Sequence, residues 1–468
     1  MKKLLAYVVV IVIGVLLSFP LVSGFALERA YEKRIANMPL QAGIAVAPQS
    51  YDRGWFRSHA VVRVTLSLDQ LLGDPALGQQ PLDLLVESRF YHGPLLLTDI
   101  GPRLGLGYGS LSLSGSSAEG VEQTLSRWLE AAPLNLRTII YFDQSAQTEL
   151  DIAAYEMDQG QDHIRFGGAN LSLRSNKALT RFDASLLVRA SNVLSAGFAL
   201  DMAEASGSMS YTGNSPYTMV GESVFSIPKL ALTSKSMVLI LENLNLNSGN
   251  QVNQGKMDYF QTLEIESIES PLPITAASWH LEFTGVSPTG LERWSDVSMQ
   301  IQQQFQSGTL PTDETGAPQL TPQLEAELEQ VMQALFQPGL GFAQRLDVAA
   351  LGAQHHADMR LGYNGLPGGV SFADLDDPLQ FLPAFNGAVN LELDEASIVG
   401  SQFADTMLPF IQQGLLLSEQ GKLVLRASLE DGVMLLNGSP FPIEALLQSA
   451  MTEPAPSGDP SADPAAAP

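Results

Sequence analysis

The chain has 468 residues, of which 45% are hydrophobic, enough to bury a sizeable core and to exclude global disorder. Its 50 acidic residues against 25 basic ones give a net charge of −25, which repels phosphate backbones and excludes nucleic acid as a partner. Cysteine is absent, so disulfides, thiolate metal sites and cysteine nucleophiles are excluded as well.

In chain order, Lys2 and Lys3 precede Leu4–Leu27, a run of 24 residues without a charge. At ~1.5 Å per residue a helix of that length covers roughly 36 Å, enough for a hydrocarbon core of about 30 Å. Residues 1–27 are therefore expected to be an N-terminal membrane anchor. The competing expectation is a cleaved signal segment, for which Gly24-Phe25-Ala26 offers small residues around a cut.

Beyond residue 60 the commonest pattern is alternation. Val62, Val64, Leu66 and Leu68 alternate with Arg63, Thr65, Ser67 and Asp69. Similar runs lie at Trp279–Thr284, Asp358–Tyr363 and Val389–Asp394. A period of two predicts strands with one apolar and one wet face, as in antiparallel sheets. Between Met237 and Leu246 the apolar phase slips, which predicts a β-bulge or bend. Asp431-Gly432 between two apolar runs predicts a two-residue hairpin.

Helices interrupt the strands. One is predicted from Ser116, a capping residue, to Pro133, with Val121, Leu125, Trp128 and Leu129 on one face. Others are predicted over 288–305, after Thr321-Pro322 (Leu324, Leu328, Val331, Leu335), and after Ser401 (Phe403, Met407, Ile411, Leu415). The expected organisation is a β-rich first portion over 28–306, a linker at 307–321, an α+β second portion over 322–451, and a disordered Pro/Ala-rich tail over 452–468. The expected class is α+β and β-rich: extended, curved antiparallel sheets with a few packing helices, plus the N-terminal transmembrane helix.

Chemical motifs are few. His355-His356-x-Asp358 places His356 and Asp358 on one strand face, half a metal site at best. Gly105-Leu106-Gly107-Tyr108-Gly109 has the wrong glycine spacing for a dinucleotide fingerprint. No Gly-x-Ser-x-Gly elbow is present. No catalytic residue, cofactor or metal is therefore assigned.

The most informative stretch is Tyr51-Asp52-Arg53-Gly54-Trp55-Phe56-Arg57-Ser58. Its glycine reads as a turn, and Trp55 and Phe56 as the packed entry of the following strand. Placed soon after an apolar N-terminal run, the pattern carried by Tyr51, Gly54, Trp55, Phe56 and Ser58 resembles the YdgA-like family of bacterial envelope proteins, which carry a domain of unknown function. Two further stretches fit that resemblance: a turn at His92, Gly93 and Pro94, and a closing hairpin containing Asn437 and Gly438. The resemblance implies an inner-membrane anchor and a periplasmic body in a Gram-negative cell, and brings no reaction with it. The expected function is non-enzymatic binding or scaffolding in the envelope. The partners are the membrane, through the N-terminal segment, and a lipid or an envelope protein. Lipid handling on an apolar sheet face is the alternative, with Leu66 and Leu281 as face candidates by parity. A hydrolase assembled from distant residues is the third expectation.

Overall fold

The computed structural model describes residues 25, 28–29, 31, 44–67, 82–115, 134–160, 162–195, 197–306, 319–366 and 378–442. The predicted helix over 116–133, most of the linker and the C-terminal tail lie outside the described residues. So does the run Leu4–Leu27 apart from Phe25. Chain contacts divide the protein into two compact units: 1–278 with 298–321, and 279–297 with 322–468.

The first unit contains strands β1 (Ile44–Arg53), β2 (Arg57–Leu66), β3 (Leu82–His92), β4 (Leu95–Thr98), β5 (Gly101–Leu104), β6 (Gly107–Gly115), β7 (Leu134–Ile140), β8 (Ala146–Ile152) and β9 (Tyr155–Gln159). It continues with β10 (Asp162–Phe166), β11 (Ala169–Ser175), β12 (Arg181–Val188), β13 (Ser191–Ser195), β14 (Phe198–Met202), β15 (Ala205–Thr212), β16 (Val220–Ser234), β17 (Val238–Asn253) and β18 (Lys256–Glu269). Antiparallel ladders join β1, β2, β3, β6, β7, β8, β11, β12, β15, β16, β17 and β18 in that order. A second branch, β9–β10–β13–β14, joins the C-terminal half of β16. Strands β4 and β5 pair with each other as a separate hairpin.

The predicted phase slip is a shared crease. Pairing of β16, β17 and β18 keeps one register on both sides of Asn243, so no residue is inserted. Asn243 instead takes a left-handed conformation, φ 52°, opposite Pro228, which has no N–H to give the ladder. Its amide donates to Glu266 of β18 at 2.6 Å. Apolar positions change parity together across this line: Ile227 to Leu230, Leu244 to Leu241, Ile265 to Ile268.

The second unit pairs most of β19 (Ile274–Val286) with β20 (Leu340–Ala350), followed by β21 (Ala353–Tyr363), β22 (Phe385–Asp394) and β24 (Lys422–Glu430). Strands β23 (Leu417–Glu419) and β25 (Val433–Leu436) share the remaining edge of β24, and β26 (Ser439–Pro440) follows β25. Asp431-Gly432 does form the predicted hairpin, with both residues left-handed (φ 51° and 80°). The same pair of left-handed residues recurs at Gln254-Gly255, Leu351-Gly352, Gln420-Gly421 and Asn437-Gly438.

Three predicted helices form. Helix α1 (Pro288–Gln306) starts with Pro at its first position, and the Ser287 hydroxyl caps it by accepting from Gly290 N–H at 3.1 Å. Helix α2 (Pro322–Leu335) buries Leu324 and Val331. Its Met332, with Phe336 just beyond its end, packs on Tyr363, Phe381 and Ala384. A short helix, α3 (Glu395–Val399), precedes α4 (Ala404–Gln412), which runs through Pro409. Ile398, Met407 and Ile411 cover Leu423 of β24 and Leu416, which immediately precedes β23. In this unit, therefore, helices close the apolar side of the sheet.

The expected fold class needs correction. The body is β-rich, a large antiparallel assembly with few helices, about 17% of the described residues. Among the described residues no helix is long and apolar enough to cross a membrane. The expected transmembrane helix is therefore not part of the described fold.

Candidate functional site

Directly opposed residues in an antiparallel ladder share a face, so the pairings trace rows across the first unit's sheet. One row runs Leu111, Leu136, Leu150, Leu171 and Leu186 over β6, β7, β8, β11 and β12. It continues through Gly207, Phe225, Leu246 and Leu263 over β15 to β18. Nine strands at about 4.8 Å spacing give it a contour of roughly 40 Å. Gly207 carries no side chain of its own. A Cβ there would meet the Phe225 ring at 3.3 Å, so the aromatic closes the gap in the row.

A flanking row on the same face, Leu134–Ile152–Ala169–Val188–Ala205, is also apolar. The next row on the opposite face reads Ser110, Arg137, Glu149, Ser172, Ser185, Ser208, Val224, Asn247 and Thr262. That face also carries ion pairs, such as Arg137 with Asp151 at 3.1 Å. The sheet is thus sharply two-sided. Yet the leucine row is not a sealed core: its residues are half-buried, and Leu171 is 36% exposed. Leu423 in the helix-covered second unit, by contrast, is 0% exposed. Leu66 of β2 is half-buried in the same parity as Val62 and Val64, and Leu281 belongs to the second unit.

The two N-terminal sequence motifs meet in space. Strand β2 pairs with β3 so that Phe56 C=O accepts from His92 N–H at 3.0 Å. Ser58 Oγ lies 3.3 Å from His92 Nε2, and both residues are buried. A serine and a histidine at this distance resemble a nucleophile and its base. With each side chain 2% exposed, the pair joins two strands and gives a substrate no approach. Gly54 makes the turn: its N–H donates to Arg57 C=O at 2.7 Å, and a Cβ would stand 2.7 Å from that oxygen. Gly93 has φ 125°, which favours glycine. Pro94 C=O accepts from Gly105 N–H at 3.3 Å. Tyr51 stacks on Tyr31 with ring centres 5.1 Å apart. Trp55 and Phe56 do not pack the strand entry as expected; they are 53% and 46% exposed.

Asn437 and Gly438 lie in the second unit. Asn437 Oδ1 accepts from Arg426 N–H at 2.9 Å, and its amide donates to Gly414 and Leu415 C=O at 3.1 Å each. These residues hold the closing hairpin.

The histidine cluster does not converge. His355 Nε2 faces Ala350 C=O at 3.1 Å, while its Nδ1 accepts from Asp394 N–H at 3.3 Å, so both ring nitrogens serve the backbone. His356 lies between Asp347 at 2.8 Å and Asp358 at 3.2 Å. Arg345, and after it His356, hold the Asp347 carboxyl below the usual carboxylate range. Among the described residues no group of three or more ligating side chains is placed to hold a metal ion.

A cleft of about 440 Å³ lies between the β4–β5 hairpin, which contributes Ile100, Pro102, Arg103 and Leu104, and the sheet's polar face. Tyr108 lines it and donates to Asp99 at 2.5 Å. Burial and that carboxylate push the Tyr108 phenol well above its ordinary range. Arg137 bridges Asp99 and Asp151 at 3.5 and 3.1 Å. Arg137 thus serves two carboxylates at once, and the cluster keeps a net negative charge.

Sequence reasoning found the motif residues but missed the leucine row. Leu111, Leu136, Leu150 and Leu171 alternate locally; only the long-range register shows that they align.

A family described as bacterial protein of unknown function (DUF945) matches residues 1–444. No curated protein and no solved structure matches the chain.

Proposed function

The chain belongs to the DUF945 family of bacterial proteins of unknown function, and on that footing we propose that it is an envelope protein that binds lipid acyl chains on the apolar face of its first unit. The observation that carries this reading is the half-buried row from Leu111 to Leu263, unbroken across nine strands. A contiguous apolar surface of more than a few hundred Å² is rare on soluble monomers and marks a binding site. An acyl chain satisfies such a face without hydrogen bonds, which the row does not offer.

The uncharged run Leu4–Leu27 behind Lys2 and Lys3 supports delivery to the envelope and attachment there, with the body on the periplasmic side. The meeting of the Tyr51–Ser58 and His92–Pro94 motifs supports the narrower YdgA-like assignment. The protein acts by binding, and we assign it no reaction.

The test uses the full chain in native membranes with a phospholipid bearing a photoreactive acyl chain. Adducts are expected on peptides containing Leu136, Leu150, Leu171 and Leu186, several-fold fewer in Leu171→Asp. Adducts confined to residues 1–27 would leave membrane attachment standing and remove acyl-chain binding by the sheet. Protein cross-links replacing lipid adducts on those peptides would make the face a scaffold for an envelope protein.

A further inference from the structure

The β4–β5 hairpin carries a second apolar surface, separate from the leucine row. Leu95 pairs with Leu104 and Leu97 with Pro102, so these four share one face of the hairpin. Leu96, on its other face, is buried at 1% exposure. The outward face is open: Leu95 is 52% exposed, and Leu97 and Leu104 are 64% exposed. The positions on either side of the buried Leu96 would ordinarily be polar, and here both are leucine.

The Gly54 turn brings two more exposed apolar side chains to the same end of the sheet. Phe56 C=O accepts from His92 N–H, two residues before the hairpin begins at Pro94-Leu95. Trp55 and Phe56 are exposed at this end with Arg57 beside them, and Arg103 is exposed on the hairpin, opposite Leu96. The exposed acidic residues of these turns are Asp52 and Asp99; Asp99 is already engaged by Tyr108 and Arg137.

The occupant follows from where the N-terminal run joins the body. The Phe25 ring lies 3.6 Å from the Arg53 guanidinium, and Glu28 pairs with the same arginine. Arg53 is the last residue of β1, next to Gly54. Phe25, near the C-terminal end of the uncharged run, therefore meets the body beside the turn that carries Trp55 and Phe56.

We infer that the Gly54 turn and the β4–β5 hairpin form a docking tip that dips into the interfacial layer of the bilayer to which Leu4–Leu27 attaches the chain. The inference rests on the envelope reading above. Aromatic rings and leucines suit the boundary between headgroups and acyl chains, and arginines suit anionic headgroups, in a chain otherwise strongly acidic. One consequence is orientation: the tip and the N-terminal run hold the sheet by one end.

Because the chain has no cysteine, a single introduced thiol reports cleanly. Full-length Leu97→Cys and Leu179→Cys would be labelled with an environment-sensitive dye and reconstituted in phosphatidylglycerol/phosphatidylethanolamine vesicles containing a shallow nitroxide-labelled lipid. Leu179, 52% exposed in the β11–β12 turn, is the control. The label at position 97 is expected to shift to the blue and to be quenched several-fold more than the label at 179. Chain bound to vesicles with both labels equally unquenched overturns the docking tip and leaves membrane attachment standing. Chain that fails to associate with vesicles overturns the envelope reading and the tip with it. A label shielded without lipid, with disulfides forming between Leu97→Cys copies, would assign the hairpin to a second copy of this chain and also overturn the proposal.

Discussion

Leu150 and Leu171 stand directly opposite each other across the β8–β11 ladder, and each has a further leucine opposite it on its other side, Leu136 and Leu186. Four strands from separate stretches of sequence thus place one leucine each at one level of one face. Packing alone does not demand this, because the row stays half-buried where the second unit's core is sealed.

Leu171→Asp is expected to leave the fold intact. The residue is 36% exposed, so the carboxylate reaches water and the cost should be about 1 kcal/mol or less. Bound acyl lipid should fall several-fold. Equal unfolding midpoints with reduced lipid in denaturant titration and lipid mass spectrometry would separate a binding role from a packing role.

The first motif should split into a structural and a surface part. Gly54→Val forces a Cβ to within 2.7 Å of Arg57 C=O and should destabilise by about 1–3 kcal/mol. Phe56→Asp, at a position 46% exposed, should change stability by less than about 1 kcal/mol. Chemical denaturation of the two variants checks the contrast; equal losses would show that Phe56 is packed after all.

Asn437→Gly keeps the left-handed backbone but removes the side-chain bonds to Arg426, Gly414 and Leu415. A loss of about 1–2 kcal/mol is expected from those hydrogen bonds. An unchanged unfolding midpoint would mean that backbone conformation alone explains the asparagine.

Asp347, Glu392 and Glu419 are each held below the ordinary carboxylate range, by Arg345, Lys422 and Arg426 respectively. Carboxyls lowered on folding add stability above their unfolded value, near pH 4, and lose it as pH falls through the lower folded value. These pairs are largely exposed, so each effect is small. The thermal midpoint should decline below about pH 4, less steeply in Asp347→Asn. A decline of the same steepness in that variant would remove Asp347 from the account.

Legibility in the sequence followed the range of the interaction. The strand over Val62–Leu66, the Asp431-Gly432 hairpin and helices α1, α2 and α4 were readable because alternation, turn chemistry and Pro at a helix start are local signals. The hairpins at Gln254-Gly255, Leu351-Gly352 and Gln420-Gly421 were not, since their first residues lack the usual preference for a left-handed backbone. The Ser58–His92 contact needs the β2–β3 register, and the leucine row needs eight ladders at once. Neither is encoded in any window of neighbouring residues. Aromatic residues at a strand start usually pack, and the exposure of Trp55 and Phe56 departs from that rule with no local signal to announce it.

The most direct measurement places a photoreactive amino acid at position 171 of the full chain in living cells, with position 172 as the control on the polar face. Irradiation and mass spectrometry then identify what each side chain touches. The account predicts phospholipid adducts at 171 and none at 172. Adducts at 171 to protein alone, whether this chain or another, would contradict acyl-chain binding by the first unit.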